Sequence, residues 1–267
     1  MANFYTDNKD LQFTLENLDL AEAVAIKEDD YTKSEKFESA PVDYADALDN
    51  FIRVAKVAGE IAGDKIDPRS RIVDEEGPHF ENNKVTYHPL TQANLKDLAQ
   101  ADLSGITLPH EYGGLNFPCS VYIMMTEMVS RADGSLQNLF GLQDIAETIC
   151  DFGSEEQRQQ YLPKFASGEY DGSMDLTEPD FGSDLQSVRL RAWQDENGQW
   201  YLNGMKRFIT NGCAQVHLVL ARSEEGTSDG RGLSMFIAEA CPQYGKISFA
   251  ETTHGFCIGK AVFSAVC

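Results

Sequence analysis

No run of 18 or more apolar residues occurs in the 267-residue chain, so no membrane-spanning helix is expected. The opening stretch, Met1 to Phe13, lacks a basic segment followed by an apolar one, so a secretory leader is not expected either. Paired cysteines are missing: Cys119, Cys150, Cys213, Cys241, Cys257 and Cys267 form no CxxC, and the five histidines are scattered. A metal site is therefore not expected, and free thiols point to a reducing, cytoplasmic location. Positive charge is scarce, with 22 Lys and Arg against 43 Asp and Glu, a net charge of −21. Nucleic-acid binding needs a positive footprint, so that class of partner is excluded. The negative charge reads first as a source of solubility and self-repulsion.

What is present is ordinary for a globular chain of one or two domains: 42% hydrophobic and 24% charged residues. Residues 1–40 are polar and acidic and read as an N-terminal extension, with a short helix over Leu15–Ile26. Ala45, Leu48, Phe51, Ile52, Ala55 and Ala58 then recur at helical spacing. Residues 64–90, punctuated by Pro68, Gly77, Pro78 and Pro89, read as a long connection. Helical spacing returns over Gln92–Ala101. It is followed by a turn-rich loop and by two segments, Ser120–Ala132 and Leu136–Phe152, apolar on most faces as in buried helices. Ser154 followed by Glu155, Glu156 and Gln157 marks another helix start.

Near residue 170 the period changes. Val188–Trp193, Trp200–Asn203, Val216–Ala221 and Leu233–Ala238 read as strands separated by turns. Helices followed by strands predict an α+β protein, with a helical domain over 41–170 and a β domain over 171–240. The tail, 241–267, fits neither pattern.

Two stretches carry chemical potential. In Ser173-Met-Asp-Leu-Thr-Glu-Pro-Asp-Phe-Gly-Ser-Asp-Leu, Thr177 offers a hydroxyl at a strand end and Pro179 keeps Glu178 extended. Gly182 allows close approach or positive φ, and Ser183 and Asp184 can cap the next turn. Such a loop can present hydroxyls and N–H groups to a phosphate or a polar ring edge. Alone, it reads more simply as a turn with a capping serine. In Gly204-Met-Lys-Arg-Phe-Ile-Thr-Asn-Gly, Phe208 and Thr210 fall on one face of an expected strand. An aromatic ring beside a hydroxyl suits a flat heterocycle; alone, the stretch reads as a strand ending in an Asn-Gly turn.

Together with two further stretches, their order resembles the acyl-CoA dehydrogenase family over roughly residues 45–240. Leu108-Pro-His-Glu-Tyr-Gly-Gly resembles its P-x-x-Y-G-G loop. Phe152-Gly-Ser-Glu-Glu-Gln-Arg-Gln-Gln-Tyr-Leu-Pro-Lys-Phe-Ala-Ser-Gly-Glu resembles its G-S-x-E-Q helix. Leu176 to Leu185 resembles its T-E-P-x-x-G-S-D loop, and Gly204 to Gly212 its G-x-K-x-x-I-T-N-G segment. Motifs in the right order and spacing are far more specific than any one of them. The long extension, and Phe208 where many members have Trp, resemble the larger, methylthiopropanoyl-CoA dehydrogenase-like branch.

The resemblance implies a helical domain followed by a β-barrel middle domain, with FAD as cofactor. It places Met174, Leu176, Thr177, Gly182 and Ser183 along the flavin and its pyrophosphate. Thr177 is implied on the pyrimidine side, and Ser183 beside both pyrophosphate and acyl-CoA. Phe208, Ile209 and Thr210 are implied to flank the ring, Thr210 near N5. Met174 and Phe181 depart from the commoner residues and leave the detailed geometry open.

The implied reaction removes two hydrogens from an acyl-CoA thioester, a carboxylate taking the α proton and flavin N5 the β hydride. Electrons then pass to an electron-transfer flavoprotein, and the complete family form is a homo-oligomer. Glu178 is a tempting base, but a pre-proline glutamate in this loop reads better as a hydrogen-bonding brace. The family's base is a glutamate in a C-terminal helical domain, and no counterpart is expected before Cys267.

In the tail, His254 and Gly255 echo a substrate-contacting turn without its serine, and Cys257 and Cys267 match no family element. The expectation is an incomplete chain, through truncation or frame disruption, inactive alone. An acyl-CoA oxidase-like flavoprotein and a non-catalytic flavin- or CoA-binding subunit stay open as alternatives.

Overall fold

Helices fill the chain as far as Ala166, apart from one small hairpin, and strands dominate from Gly172 onward. The computed structural model describes residues 2–82 and 84–240, together with the backbone alone of 246–250 and 258–262. His254, Gly255, Cys241, Cys257 and Cys267 lie outside the described residues. Chain contacts divide the protein into a helical unit, 1–76 with 88–169, and a strand-containing unit, 77–87 with 170–267.

The helical unit begins with α1 (Lys9–Asn17) and α2 (Ala21–Lys27). The helix expected over Leu15–Ile26 is thus divided, because Leu18 turns extended (φ −73°, ψ 120°) and a second helix starts after Leu20. Asn8 starts α1 by accepting from the Asp10 and Leu11 N–H groups. The first forty residues are more than a polar extension: Phe4, Tyr5, Leu11, Leu15, Leu20 and Val24 join the main apolar core. Gly59 and Gly63 allow this close approach, since a Cβ on Gly59 would lie 2.6 Å from the Tyr5 nitrogen. The Phe4 N–H bonds the Gly59 carbonyl at 3.0 Å, and the Arg131 guanidinium covers the Phe4 ring at 4.2 Å.

α3 (Tyr44–Glu60) is capped by Asp43 and buries Ala47, Phe51, Ala55 and Ala58. It runs through one π-helical turn, Ile61–Ile66, into α4 (Asp67–Glu76). The connection expected after residue 64 is therefore partly helical. The wide turn, in which the Asp67 N–H reaches back to the Ala62 carbonyl, lets Pro68 follow without ending the helix.

α5 (Pro89–Ala99), α6 (Cys119–Ala132), α7 (Gly134–Phe140), α8 (Asp144–Phe152) and α9 (Glu155–Ala166) complete the unit. The single helix expected over Leu136–Phe152 is interrupted by a 3-10 turn at Gly141–Gln143. α6 buries Val121, Tyr122, Met124, Met125, Met128 and Val129. α9 opens on the expected Ser154 cap, closed reciprocally by Gln157. The loop before α6 is tied to the N-terminal segment from inside. His110 bonds Glu28 through Nε2 at 3.2 Å and Ser39 through Nδ1 at 3.1 Å, and Asn116 donates to Glu28 at 2.8 Å.

The second unit starts with a hairpin, β1 (His79–Glu81) and β2 (Lys84–Thr86), within the stretch expected to be a connection. Its sheet is built from β3 (Gly172–Asp175), β4 (Arg191–Gln194), β5 (Trp200–Asn203), β6 (Val216–Arg222) and β7 (Leu233–Glu239). β6 is the hub: β3 runs parallel to it, β7 pairs antiparallel along its length, and β4 joins at Arg191–Arg222 and carries β5. β8 (Lys246–Ala250) and β9 (Ile258–Val262) pair with each other. Leu190, Leu202, Val219, Ala221 and Phe236 fill one side of the sheet, with Trp200 packed on Phe236 at 5.0 Å between ring centres. Among the described residues, no helix is long and apolar enough to cross a membrane.

Candidate functional site

β3 ends at Asp175, and the chain leaves the sheet through Leu176 and Thr177, both half-buried. Pro179 comes next but one, and the Glu178 and Phe181 backbones bond reciprocally, Glu178 N–H to Phe181 O at 2.8 Å and Phe181 N–H to Glu178 O at 3.2 Å. This turn throws Gly182 and Ser183 outward, where both are exposed. Gly182 does not take the positive φ its residue type permits. Its use is space, since a Cβ there would meet only the Thr177 methyl, at 3.9 Å.

The second segment, after β5, is not the strand expected from Gly204–Thr210. Phe208 sits at φ +60° and Asn211 at φ +55°, which breaks extended pairing. The outward pair survives the change: Phe208 is 61% exposed and Thr210 is exposed, while Ile209 between them is buried at 5%. A bulky residue at positive φ is a strained choice, held here by its surroundings. The Arg207 guanidinium lies over the Phe208 ring at 4.7 Å.

The two segments meet. The Arg207 N–H donates to the Thr177 carbonyl at 2.8 Å, placing Phe208 one residue from a contact with Thr177. Asn211 donates through its side chain to the Gly172 carbonyl at 3.0 Å and accepts from the Tyr87 hydroxyl at 2.8 Å. Of the residues expected at the site, Leu176 and Thr177 are bonded from the second segment through Lys206 and Arg207, Gly182 lies near the Thr177 methyl and Phe208 follows Arg207, while Ser183 and Thr210 are exposed with no contact to the other segment recorded among the described residues. The Ile209 side chain turns inward, and Met174 stays half-buried within β3.

Underneath lies a polar framework of which sequence reasoning anticipated Glu178 and missed Lys206, Ser173, Asp175 and His217. Lys206 has a fully buried side chain whose Nζ donates to the Leu176 carbonyl at 2.8 Å and to Glu178 Oε1 at 3.1 Å. Glu178, 6% exposed, also accepts the Arg189 N–H at 2.7 Å and the Leu190 N–H at 2.9 Å. It is the brace expected from its place before Pro179. Burial pushes the Lys206 ammonium below its ordinary range, and the Glu178 and Asp175 carboxylates oppose that shift. One strand over, Ser173 bonds Asp175 at 2.6 Å and His217 at 2.7 Å, and His217 meets Asp175 at 3.1 Å. The signal for this cluster was available: residues 173 and 175 share a strand face, and Ser173 is in register with His217.

The exposed groups fit a flat heterocycle carrying a phosphate-bearing arm. The Phe208 ring and the Thr210 hydroxyl are exposed on the segment whose Arg207 N–H bonds the Thr177 carbonyl, and Gly182 and Ser183 are exposed on the other segment. Among the described residues, no group of three His, Cys, Asp or Glu side chains is arranged to hold a metal ion.

A helical unit followed by a strand-containing unit with two joined hydroxyl-bearing loops defines an α+β protein. Residues 52–169 match the model of the acyl-CoA dehydrogenase N-terminal domain, and residues 173–264 match that of the middle domain. The chain belongs to the acyl-CoA dehydrogenase family. It is 34% identical over 200 residues to 3-methylmercaptopropionyl-CoA dehydrogenase from Ruegeria pomeroyi, which covers 71% of this chain and 33% of that protein. Among solved structures, butyryl-CoA dehydrogenase from Megasphaera elsdenii shares the fold, with a TM-score of 0.70 at 23% identity over 82% of this chain and 56% of that one. An acyl-CoA dehydrogenase complexed with FAD from Bacillus anthracis aligns with a TM-score of 0.68 at 26% identity, over 81% of this chain and 36% of that one. The chain therefore spans about a third of the length of the curated relative and at most about half of these two structures.

Proposed function

We propose that this chain supplies FAD- and acyl-CoA-facing surface for the α,β-dehydrogenation of an acyl-CoA thioester. The observation that carries the reading is the 2.8 Å bond from the Arg207 N–H to the Thr177 carbonyl, which joins the two segments bearing the candidate cofactor contacts.

When bound, the flavin supplies the electron sink that takes the β hydride. The chain's own share is orientation. Thr177 offers its hydroxyl to the pyrimidine side, with Met174 and Leu176 behind it, while Phe208 and Thr210 flank the ring and Thr210 serves its N5 side. Ile209, turned into the unit, seats its two neighbours. Gly182 leaves room for the pyrophosphate, and Ser183 bonds both it and the acyl-CoA.

Glu178 is committed to three donors and is not assigned the α proton. That proton is assigned to a carboxylate outside the described residues. An electron-transfer flavoprotein as acceptor, a homo-oligomeric complete form and a cytoplasmic location complete the proposal.

The test is an absorption spectrum of the purified chain after FAD addition and gel filtration, followed by acyl-CoA thioesters of several lengths. A retained yellow complex is the expected result, and bleaching by a thioester would place the base within this chain. A chain that emerges colourless at FAD concentrations of tens of micromolar overturns the reading.

A further inference from the structure

Lys206 is an expensive residue to bury. Its ammonium leaves water completely, and ion pairs in such places rarely stabilise a fold better than apolar residues of similar size. Its bonds run to the two ends of the Thr177 segment. One reaches the Leu176 carbonyl at 2.8 Å and the other Glu178 Oε1 at 3.1 Å. Leu176 O belongs to the same peptide group as the Thr177 N–H. A cation bonded to that oxygen polarises the amide, which makes its N–H a stronger donor and sets positive charge one peptide behind Thr177. The Arg207 N–H, one residue along from Lys206, draws on the Thr177 carbonyl from the next peptide.

We propose that Lys206 is a positioning and tuning residue: by charging the Leu176–Thr177 peptide from within, it raises the reduction potential of a flavin bound at Thr177. The inference rests on the flavin reading above. Its chemistry is simple: two-electron reduction places negative charge on the pyrimidine side of the ring, the side assigned to Thr177. A fixed, desolvated cation behind that amide favours the reduced form without touching the ring. Glu178 offsets part of the field. It also restrains Lys206, so the pair fixes the distance at which the charge acts.

The experiment compares three variants of the full chain with the wild type, each loaded with FAD: Lys206→Met, Glu178→Gln, and the two combined. The midpoint potential is read against a reference dye. Losing the cation is expected to weaken two-electron reduction at least tenfold, a fall of about 30 mV, in Lys206→Met and in the double variant. All four proteins are read at about pH 6, where the ammonium is kept without its carboxylate partner; Glu178→Gln, which removes the opposing charge, is then expected to hold the wild-type potential or exceed it. Should Lys206→Met fail to fold with Glu178 left unpaired, the neutral double variant carries the comparison.

Equal falls in Glu178→Gln and the double variant would mean that loosening the loop, and not charge, sets the potential. That result, or a potential unmoved in the double variant, overturns the inference and leaves the flavin reading standing. A wild-type chain that takes up no FAD overturns both.

Discussion

The Arg207 N–H and the Thr177 carbonyl are 2.8 Å apart, so the residue before the exposed Phe208 ring is tied to the residue near the start of the first candidate loop. The link is made by backbone, and its direction is set by buried side chains on either side: Lys206 under Leu176, and Asn211 under Gly172. That framework, with the core around it, determines how variants of the chain should behave.

Glu178→Ala would remove the carboxylate that receives Lys206 and two backbone N–H groups. Breaking a buried pair from one side costs about 3–5 kcal/mol because the other charge is left uncompensated. Urea unfolding of the chain is expected to show a loss of that size. Adding Lys206→Met to Glu178→Ala is expected to recover part of it.

Phe208→Gly tests whether strain is kept for a purpose. A non-glycine residue in the left-handed region is disfavoured by roughly 1–2 kcal/mol, and Phe208 sits there at φ +60° with its ring largely exposed. The glycine variant is expected to gain up to about 1 kcal/mol in chemical denaturation, after glycine's own entropy is counted. FAD affinity is expected to weaken in the same variant.

Leu15→Ala tests the place of the N-terminal segment. Leu15 is fully buried in the same core as Phe51, Met125 and Val129. Its truncation is expected to cost about 2–5 kcal/mol, the range for a buried leucine, whereas a detached extension would tolerate it. Thermal unfolding followed by circular dichroism separates the two.

Acid should weaken the helical unit through Asp97. Burial pushes the Asp97 carboxyl up, but the bonds from Lys65 at 2.9 Å and Arg69 at 2.7 Å outweigh it and hold the group below its ordinary range. A depressed carboxylate contributes stability that is fully present above its unfolded value, about 3.9, and lost as pH falls through the lower folded value. Stability measured from pH 6 down to pH 2 is therefore expected to fall less steeply in Asp97→Asn than in the wild type. Equal slopes would contradict the assignment.

Much of this architecture is legible from spacing alone. The strands through Trp200–Asn203, Val216–Arg222 and Leu233–Glu239 fall where runs of strand-forming residues stand between turn signals, and the Ser154–Gln157 box starts α9 where local chemistry places it. What was illegible depended on partners distant in sequence. The acidic surface of residues 1–40 hid the apolar face that Gly59 and Gly63 receive. Pro68 reads as a breaker unless the π turn before it is known. Phe208 reads as strand because its neighbours alternate, and the left-handed turn that keeps it outward leaves no local mark. Glu178 was legible as a brace from Pro179. Lys206 was not, since a lysine in a polar stretch reads as solvated until Glu178 and the Leu176 carbonyl are found around it.

The most direct measurement is an amide shift map of the isotope-labelled chain titrated with FAD. If the two loops share one face of an isoalloxazine ring, the amides of residues 176–183 and 207–211 shift together, along one binding curve. Shifts confined to one segment, or spread over residues remote from both, would contradict that picture.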